Sequence, residues 1–421
     1  MYATINEANE AIVQKIRDAK PFLVDVRPAH EMMPVFSEGK VLLHAGAPIA
    51  WADMTGPMQG AAVGAAIFEG WVKTDAEAKE LLASGEVRFM PAHDANAVGP
   101  MAGITSAHMP VLVAENREHG NRAFCNSNEG IGKVLRYGAY SDEVIDKIRW
   151  RRDVLAPALS RALGAMPEGL GVFTLVAKAI GMGDEFHNRN IAASALFFKE
   201  IMPWILETGT PANEVKEIAI FLSQAEQYFL DIGMAAFKSV MDAARSIEEG
   251  SIVTAMARNG RDFAIRLSGT GNTWFTAPVD TPKGVFFAGY SQADANPDIG
   301  DSAITETFGV GGMVTVASPG IVRAVGAGGL AESVRLSNEL SEIGFAVNQN
   351  FPVPAWDFRG ITMGIDARKV VATGITPSIN TGIAHKVPGI GQVGVGMAKA
   401  PLDCFIKAIE ALSEKRAQAS A

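Results

Sequence analysis

The stretch Gly181-Met-Gly-Asp-Glu-Phe-His-Asn-Arg-Asn-Ile-Ala-Ala193 sets six polar residues directly before an apolar run, 191–198. Two glycines followed by Asp184 read as a helix start, with Asp184 as N-cap and a first turn of free N–H groups. On such a helix Asp184, His187, Asn188 and Ile191 share one face, and Glu185 pairs with Arg189 at i,i+4. An acid, an imidazole and an amide then converge beside an anion-attracting terminus. The same residues also read as plain structure. Asp184 then only caps, Glu185–Arg189 is a surface pair worth a few tenths of a kcal/mol, and His187 satisfies a buried carbonyl.

Working outward, the texture of the chain changes twice. Residues 1–140 alternate short apolar runs with helical spacing: a helix over 4–19, strands over 22–26, 41–43 and 87–90, helices over 58–71 and 75–84, and a strand pair over 111–115 and 122–126. Residues 141–250 carry long 3.6-period segments at 142–163, 172–180, 184–208 and 213–247, the last broken near Gly233. Residues 251–421 return to β: Asn259-Gly260 joins strands 251–256 and 263–267. A glycine-rich stretch covers 309–329, helices cover 330–343 and 401–415, and a strand covers 370–375. The segment 376–396 reads as a Gly/Pro/Ser/Thr-rich loop. The expected fold class is mixed α/β, with two α/β domains, 1–140 and 251–421, separated by a mainly helical domain, 141–250.

The totals exclude several classes. The 421 residues are 48% hydrophobic, with 43 glycines and mean hydropathy +0.14, a globular composition. A formal charge of −9 without a basic stripe argues against nucleic-acid binding. The apolar run 307–322 is short for a bilayer and holds four glycines and Pro319. The N-terminus reads as a polar amphipathic segment and not as a secretory leader. Cys125 and Cys404 suggest no disulfide framework. A soluble, cytoplasmic protein acting on a small molecule is expected.

Three further polar strings stand at element ends. His93, Asp94 and Asn96 follow a strand. Asn128, Glu129 and Lys133 follow another, where α/β folds place ligands. Asp294, Asp298, Asp301 and Glu306 crowd thirteen positions, with Asn296 among them. These oxygens suit Mg²⁺, and they suit turn and N-cap chemistry equally. No cofactor is demanded. No Ser-His-Asp or Cys-His spacing is evident, so direct transfer is preferred to a covalent enzyme intermediate.

Six strings are long enough to carry a resemblance: Gly-Pro-Met-Gln-Gly-Ala (56–61), Ala-Val-Gly-Pro-Met-Ala-Gly (97–103), Asn-Glu-Gly-Ile-Gly-Lys-Val-Leu-Arg-Tyr-Gly-Ala (128–139), Met-Gly-Asp-Glu-Phe-His-Asn-Arg-Asn (182–190), Val-Thr-Ala-Met-Ala-Arg-Asn-Gly (253–260) and Asp-Ala-Asn-Pro-Asp-Ile-Gly-Asp-Ser-Ala-Ile-Thr-Glu-Thr (294–307). Together they resemble the YlbE-like family over nearly the whole chain. Its members are similar to a subunit of oxamate carbamoyltransferase in allantoin catabolism. They accompany an FdrA-like protein, itself similar to the succinyl-CoA synthetase α subunit. Members often carry paired histidines before Ala-Val-Gly-Pro-Met; here His93 is followed by Asp94.

The resemblance implies conversion of oxalurate and phosphate to oxamate and carbamoyl phosphate. It implies a homo-oligomer with an FdrA-like partner. Such chemistry needs a proton carrier, oxyanion donors and cations. His187 or His93 suits the proton, Asn188 and Asn190 the oxyanion, and Arg189, Arg266 or Lys133 the anions. The expected catalytic group is His187, Asn188, Arg189 and His93. The expected substrate contacts are Asn128, Glu129, Lys133, Asn190, Arg266, Asn296 and Asp301. The metal candidates are Asp294, Asp298 and Asp301. Two other readings stand beside this one: a non-catalytic assembly subunit, and an enzyme acting on another small carboxylate or amide.

Overall fold

The computed structural model describes residues 2–324 and 328–420; positions 325–327 of the glycine-rich stretch lie outside it. The fold is mixed α/β. Thr4 and Glu7 form a reciprocal capping box that starts the Ile5–Asp18 helix, which buries Ala8, Ile12, Val13 and Ile16. The first segment then supplies β1 (Pro21–Pro28), β2 (Val41–His44), β3 (Arg88–Pro91), β4 (Ala97–Val98), β5 (Pro110–Asn116) and β6 (Asn121–Asn126), and the second supplies the short β7 (Leu170–Gly171). A five-stranded sheet runs β4-β6-β5-β1-β7, and β2 pairs β3 in parallel.

The third segment builds β8 (Val253–Asn259), β9 (Asp262–Leu267), β10 (Phe275–Pro278), β11 (Lys283–Phe286), β12 (Ile299–Gly300), β13 (Gly344–Val353), β14 (Arg359–Ile365), β15 (Ser378–Ala384) and β16 (Gln392–Lys399). They form sheets ordered β10-β9-β8-β12, β11-β16-β15 and β13-β14.

The Tyr228–Arg245 helix is buried almost throughout, as a helix flanked on several sides must be. It packs on β5 and β6 and also on the Ile304–Phe308 helix and β8. One apolar cluster therefore takes Ile12 and Leu112 from the first segment, Leu159 and Phe237 from the second, and Phe308 and Met363 from the third.

Four elements differ from their sequence reading. Residues 184–190 are not helical, and the helix begins at Ile191. The 213–247 segment breaks at 225–227, not at Gly233, which sits inside the second helix beneath the Phe237 ring. Residues 370–373 belong to the Ala367–Thr373 helix, capped by Asp366 and stopped by left-handed Gly374. Those caps outweigh the β preference of Val370 and Val371. Residues 376–396 are not a loop but most of the β15–β16 hairpin. A Cβ on Gly396 would lie 2.5 Å from the Lys283 carbonyl oxygen, so glycine lets β11 pair alongside.

Ser141 precedes the Asp142–Trp150 helix without a side-chain cap bond, and a π-turn at Arg151–Leu155 interrupts the run before Ala156–Ala165. No helix among the described residues is long and apolar enough to cross a membrane. Cys125 and Cys404 are buried and unlinked.

We propose that 1–140, 141–250 and 251–421 differ in texture but unfold together, because they share that core. Calorimetry should give one transition with matching calorimetric and van't Hoff enthalpies. Two resolved transitions would make the three segments independent domains.

Candidate functional site

Glu185 organises the loop that the sequence makes resemble a helix start. Its Oε1 accepts N–H bonds from His187 (3.1 Å), Asn188 (2.5 Å) and Arg189 (2.7 Å), and its Oε2 accepts from Asn380 Nδ2 (2.7 Å). These bonds turn the chain around Phe186, which takes a left-handed φ of 73° with its ring buried. Asp184 reaches past the loop and accepts from Ala193 N–H (2.8 Å), so it caps the following helix from outside the usual N-cap position. Arg189 donates to the Gly183 carbonyl and lies 3.7 Å from Asp184. The expected Glu185–Arg189 side-chain pair is therefore absent, because that carboxylate is taken by backbone.

The loop delivers His187 to Glu306. The ring Nδ1 lies 2.8 and 3.0 Å from the two carboxylate oxygens, and Thr305 Oγ1 is 3.1 Å away. Glu306 also accepts from Gly312 N–H (2.7 Å), Asn380 N–H (3.2 Å) and the Thr305 hydroxyl (2.8 Å). A Cβ on Gly311 would fall 2.2 Å from Glu306 Oε1, so the turn approaches only because that residue is glycine. With Nδ1–H donated to Glu306, Nε2 is the nitrogen left to face the other side.

On that other side lies a cavity of about 20 Å³, lined by His187, Asn188, Arg136, Gln227, Ser302 and Gln392, with Tyr137 and Leu230 in its walls. The volume admits about one water molecule. Arg136 Nε and Nη1, Ser302 Oγ and Gln392 Oε1 are buried and have no hydrogen-bond partner. Leaving such groups unmet costs on the order of 1–3 kcal/mol each, more for the guanidinium. Arg136 is nevertheless fixed, since its Nη2 donates to the Gly130 carbonyl (2.6 Å) and to Gln227 Oε1 (3.4 Å). The cavity thus offers a cation, a hydroxyl and an imidazole nitrogen to a small polar ligand.

Behind Arg136, Asp231 is buried 4.0 Å from Nη1 and accepts from Asn128 Nδ2 (2.9 Å). Burial pushes its carboxyl up to about 7, against the pull of Arg136 and Asn128.

Only two of the sequence candidates, His187 and Asn188, line this cavity. Asn190 is the N-cap residue behind it, and its Nδ2 donates to the His187 carbonyl. Arg189 is tied to Asp184 and Gly183 as above. Asn128 is tied to Asp231 and Gly130. Glu129 pairs with Arg151 (3.1 Å) and lines a separate pocket of about 270 Å³ with Trp150 and Phe221. Lys133 is exposed.

Asn296 fastens to Thr55 and the Pro297 carbonyl. Asp298 pairs with Arg258 in the interior (2.8 Å). Asp294 caps a surface turn at Ser291. Asp301 accepts from Gly46 and Gly99 N–H. The three aspartates are thus dispersed on different partners, and no group of three or more His, Cys, Asp or Glu is placed to hold a metal among the described residues. His93 and Arg266 gather elsewhere, around Trp274.

Sequence reasoning missed Arg136, Ser302, Gln392 and Gln227 as site residues, and read Glu306 only as part of an acidic cluster. Arg136 and Ser302 stood inside quoted motifs. Gln392 was hidden by reading its strand as a loop.

A family described as "Oxamate carbamoyltransferase subunit AllG" matches residues 87–302. A protein of that name from Escherichia coli (strain K12) is 54% identical over 98% of this chain and 99% of its own. The chain belongs to the AllG family. A second Escherichia coli protein, "Uncharacterized protein YahG", is 41% identical over 96% of this chain and 85% of its own. A solved structure of a conserved protein of unknown function from Enterococcus faecalis V583 superposes with a TM-score of 0.95 at 44% identity, covering 97% of this chain and 98% of that one. The AllG fold described here is therefore shared with an experimental structure. The AllG match bears out the oxamate carbamoyltransferase side of the motif resemblance; the YlbE-like label stays a resemblance.

The raised Asp231 carboxyl has a thermodynamic consequence. Its folded pKa of about 7 exceeds the ordinary 3.8, so the native state holds a proton that the unfolded chain releases. Stability should fall as pH rises from about 4 to about 7 and level off above that. Asp301, pushed by burial to about 7, acts in the same direction. Asp231→Asn should flatten the melting-temperature profile across this window; an unchanged slope would show that Asp231 ionises normally.

Proposed function

We propose that this chain is the subunit of an oxamate carbamoyltransferase that carries a catalytic centre, at the His187–Arg136 cavity. The observation that carries the reading is the imidazole, clamped through Nδ1 by buried Glu306 and facing unpaired Arg136 and Ser302 donors. The name of the 54% identical relative supplies the reaction class.

In this reading a hydrogen phosphate oxygen adds to the carbamoyl carbon of oxalurate. His187 Nε2 takes the phosphate proton, and Glu306 stabilises the imidazolium that forms. The carbonyl oxygen becomes an oxyanion facing the Arg136 guanidinium and the Ser302 hydroxyl. When the C–N bond breaks, its electron pair stays on nitrogen, and His187 returns the proton there. Oxamate and carbamoyl phosphate result, and no metal is required by the sequence of bonds. Asn188 donates at the cavity rim. The reaction belongs to allantoin catabolism. The FdrA-like partner and a homo-oligomeric, cytoplasmic assembly complete the proposal.

The cavity's 20 Å³ cannot hold both substrates as it stands. That observation favours opening of the 128–133 segment or completion by the partner. It is also what a purely assembling subunit would show.

Turnover separates the two. With the partner present, oxalurate phosphorolysis should drop roughly 10²–10⁴-fold in His187→Asn while the melting temperature stays close to wild type. Near-normal turnover would place the chemistry on the partner. A collapse of folding along with activity would make His187 a structural histidine.

A further inference from the structure

A second cluster of buried polar side chains lies on the far side of the Asp301–Ser302 step. Ser302 lines the His187 cavity, while Asp301 Oδ1 is 3.7 Å from Nε2 of His93. The His93 side chain is fully buried, and neither ring nitrogen has a hydrogen-bond partner. Its ring meets Trp274 edge-on at 5.4 Å, and the Arg266 guanidinium lies 3.9 Å over the same indole. Trp274 Nε1 and Arg266 Nε are also buried and unpaired. His44, paired across from Pro91 two residues before His93, donates Nδ1–H to the Ala45 carbonyl (2.8 Å) and leaves Nε2 unmatched.

Four unmet polar atoms around one indole, two on His93 and one each on Trp274 and Arg266, are more than a packed interior usually leaves, so the cluster suits something polar. Burial first, then the nearby Lys238, Arg266 and Arg245 charges, hold the His93 ring neutral. Lys238 is paired with Asp242 and Asp301 stands beside His93, so net charge does not choose the ligand; the unmet donors, Trp274 Nε1 and Arg266 Nε, call for an acceptor oxygen. Arg266 is occupied by the Asp94 carboxylate through Nη2, and the Asp94 side chain is 30% exposed. Asp94 also lines an open pocket of about 510 Å³. Its carboxylate therefore occupies the Arg266 Nη2 position for which an oxyanion would compete. A neutral His93 ring keeps one acceptor nitrogen, so a matching ligand presents an N–H or O–H beside its anionic oxygens.

We propose that the His93–Arg266–Trp274 cluster is a second binding site, separate from the His187 cavity, for a small oxyanion that also carries a hydrogen-bond donor. Hydrogen phosphate and an amide-bearing carboxylate such as oxamate share that chemistry; sulfate lacks the donor. The site stands on its own observations and survives if the catalytic reading of His187 fails.

Calorimetric titration of the full chain with phosphate, oxamate and sulfate tests it. In an Arg136→Met background, which removes the cation of the other cavity, one equivalent of phosphate or oxamate should still bind. Trp274→Phe keeps the ring but removes its N–H, and should weaken that binding roughly ten-fold. Arg266→Gln should abolish it, and sulfate should bind more weakly than the favoured anion. Loss with phosphate alone assigns a phosphate site, and loss with oxamate alone a carboxylate site. Folded Trp274→Phe protein that binds both anions as tightly as the Arg136→Met background would overturn the proposal. So would absence of binding in that background.

Discussion

Four chain segments meet at one buried carboxylate, Glu306. It accepts from the His187 imidazole, the Thr305 hydroxyl, Gly312 N–H and Asn380 N–H. An isolated buried carboxylate is costly, and it is kept here because every lone pair is engaged. Removing any one partner would leave the charge partly unmet. The loop 182–190, the Ile304–Phe308 helix, the turn at Gly311 and strand β15 are therefore locked in one relative position. Glu185 extends the lock, since its Oε1 binds the loop backbone and its Oε2 the side chain of the same Asn380. The imidazole is thereby oriented by groups that never touch a ligand.

This arrangement explains why the densest polar string of the chain looks like a helix start and is not one. A helix there would leave Asp184 as a local cap and Glu185 on the surface. The fold instead buries both carboxylates and spends the loop's N–H groups on Glu185. Spacing within a string reports local preference, while these bonds run to residues as distant as Asn380. Strands β5 and β6, the Asn259-Gly260 hairpin and the N-terminal helix were legible because each is decided within a few residues. The β15–β16 hairpin was not, because its glycines answer to the approach of β11 and read locally as loop.

The candidate site was legible in the same partial way. His187 and Asn188 stand in the cavity the sequence points to, while Arg136 and Gln392 reach it only through tertiary contacts of the 128–139 and 392–399 segments. Arg189 and Lys133 looked like the anion-binding cations. The first is spent on Asp184 and Gly183, and the second faces solvent. His93 and Arg266 carry buried, unpartnered nitrogens as Arg136 does but lie beyond Asp301, so the residues expected in one cleft fall into two groups.

The account rests on ligand chemistry taking place between His187 and Arg136. A crystal structure of the assembled complex grown with oxamate tests this most directly. The account predicts oxamate within hydrogen-bond distance of both His187 Nε2 and the Arg136 guanidinium, with the cavity enlarged around it. Oxamate bound only away from both side chains would contradict it.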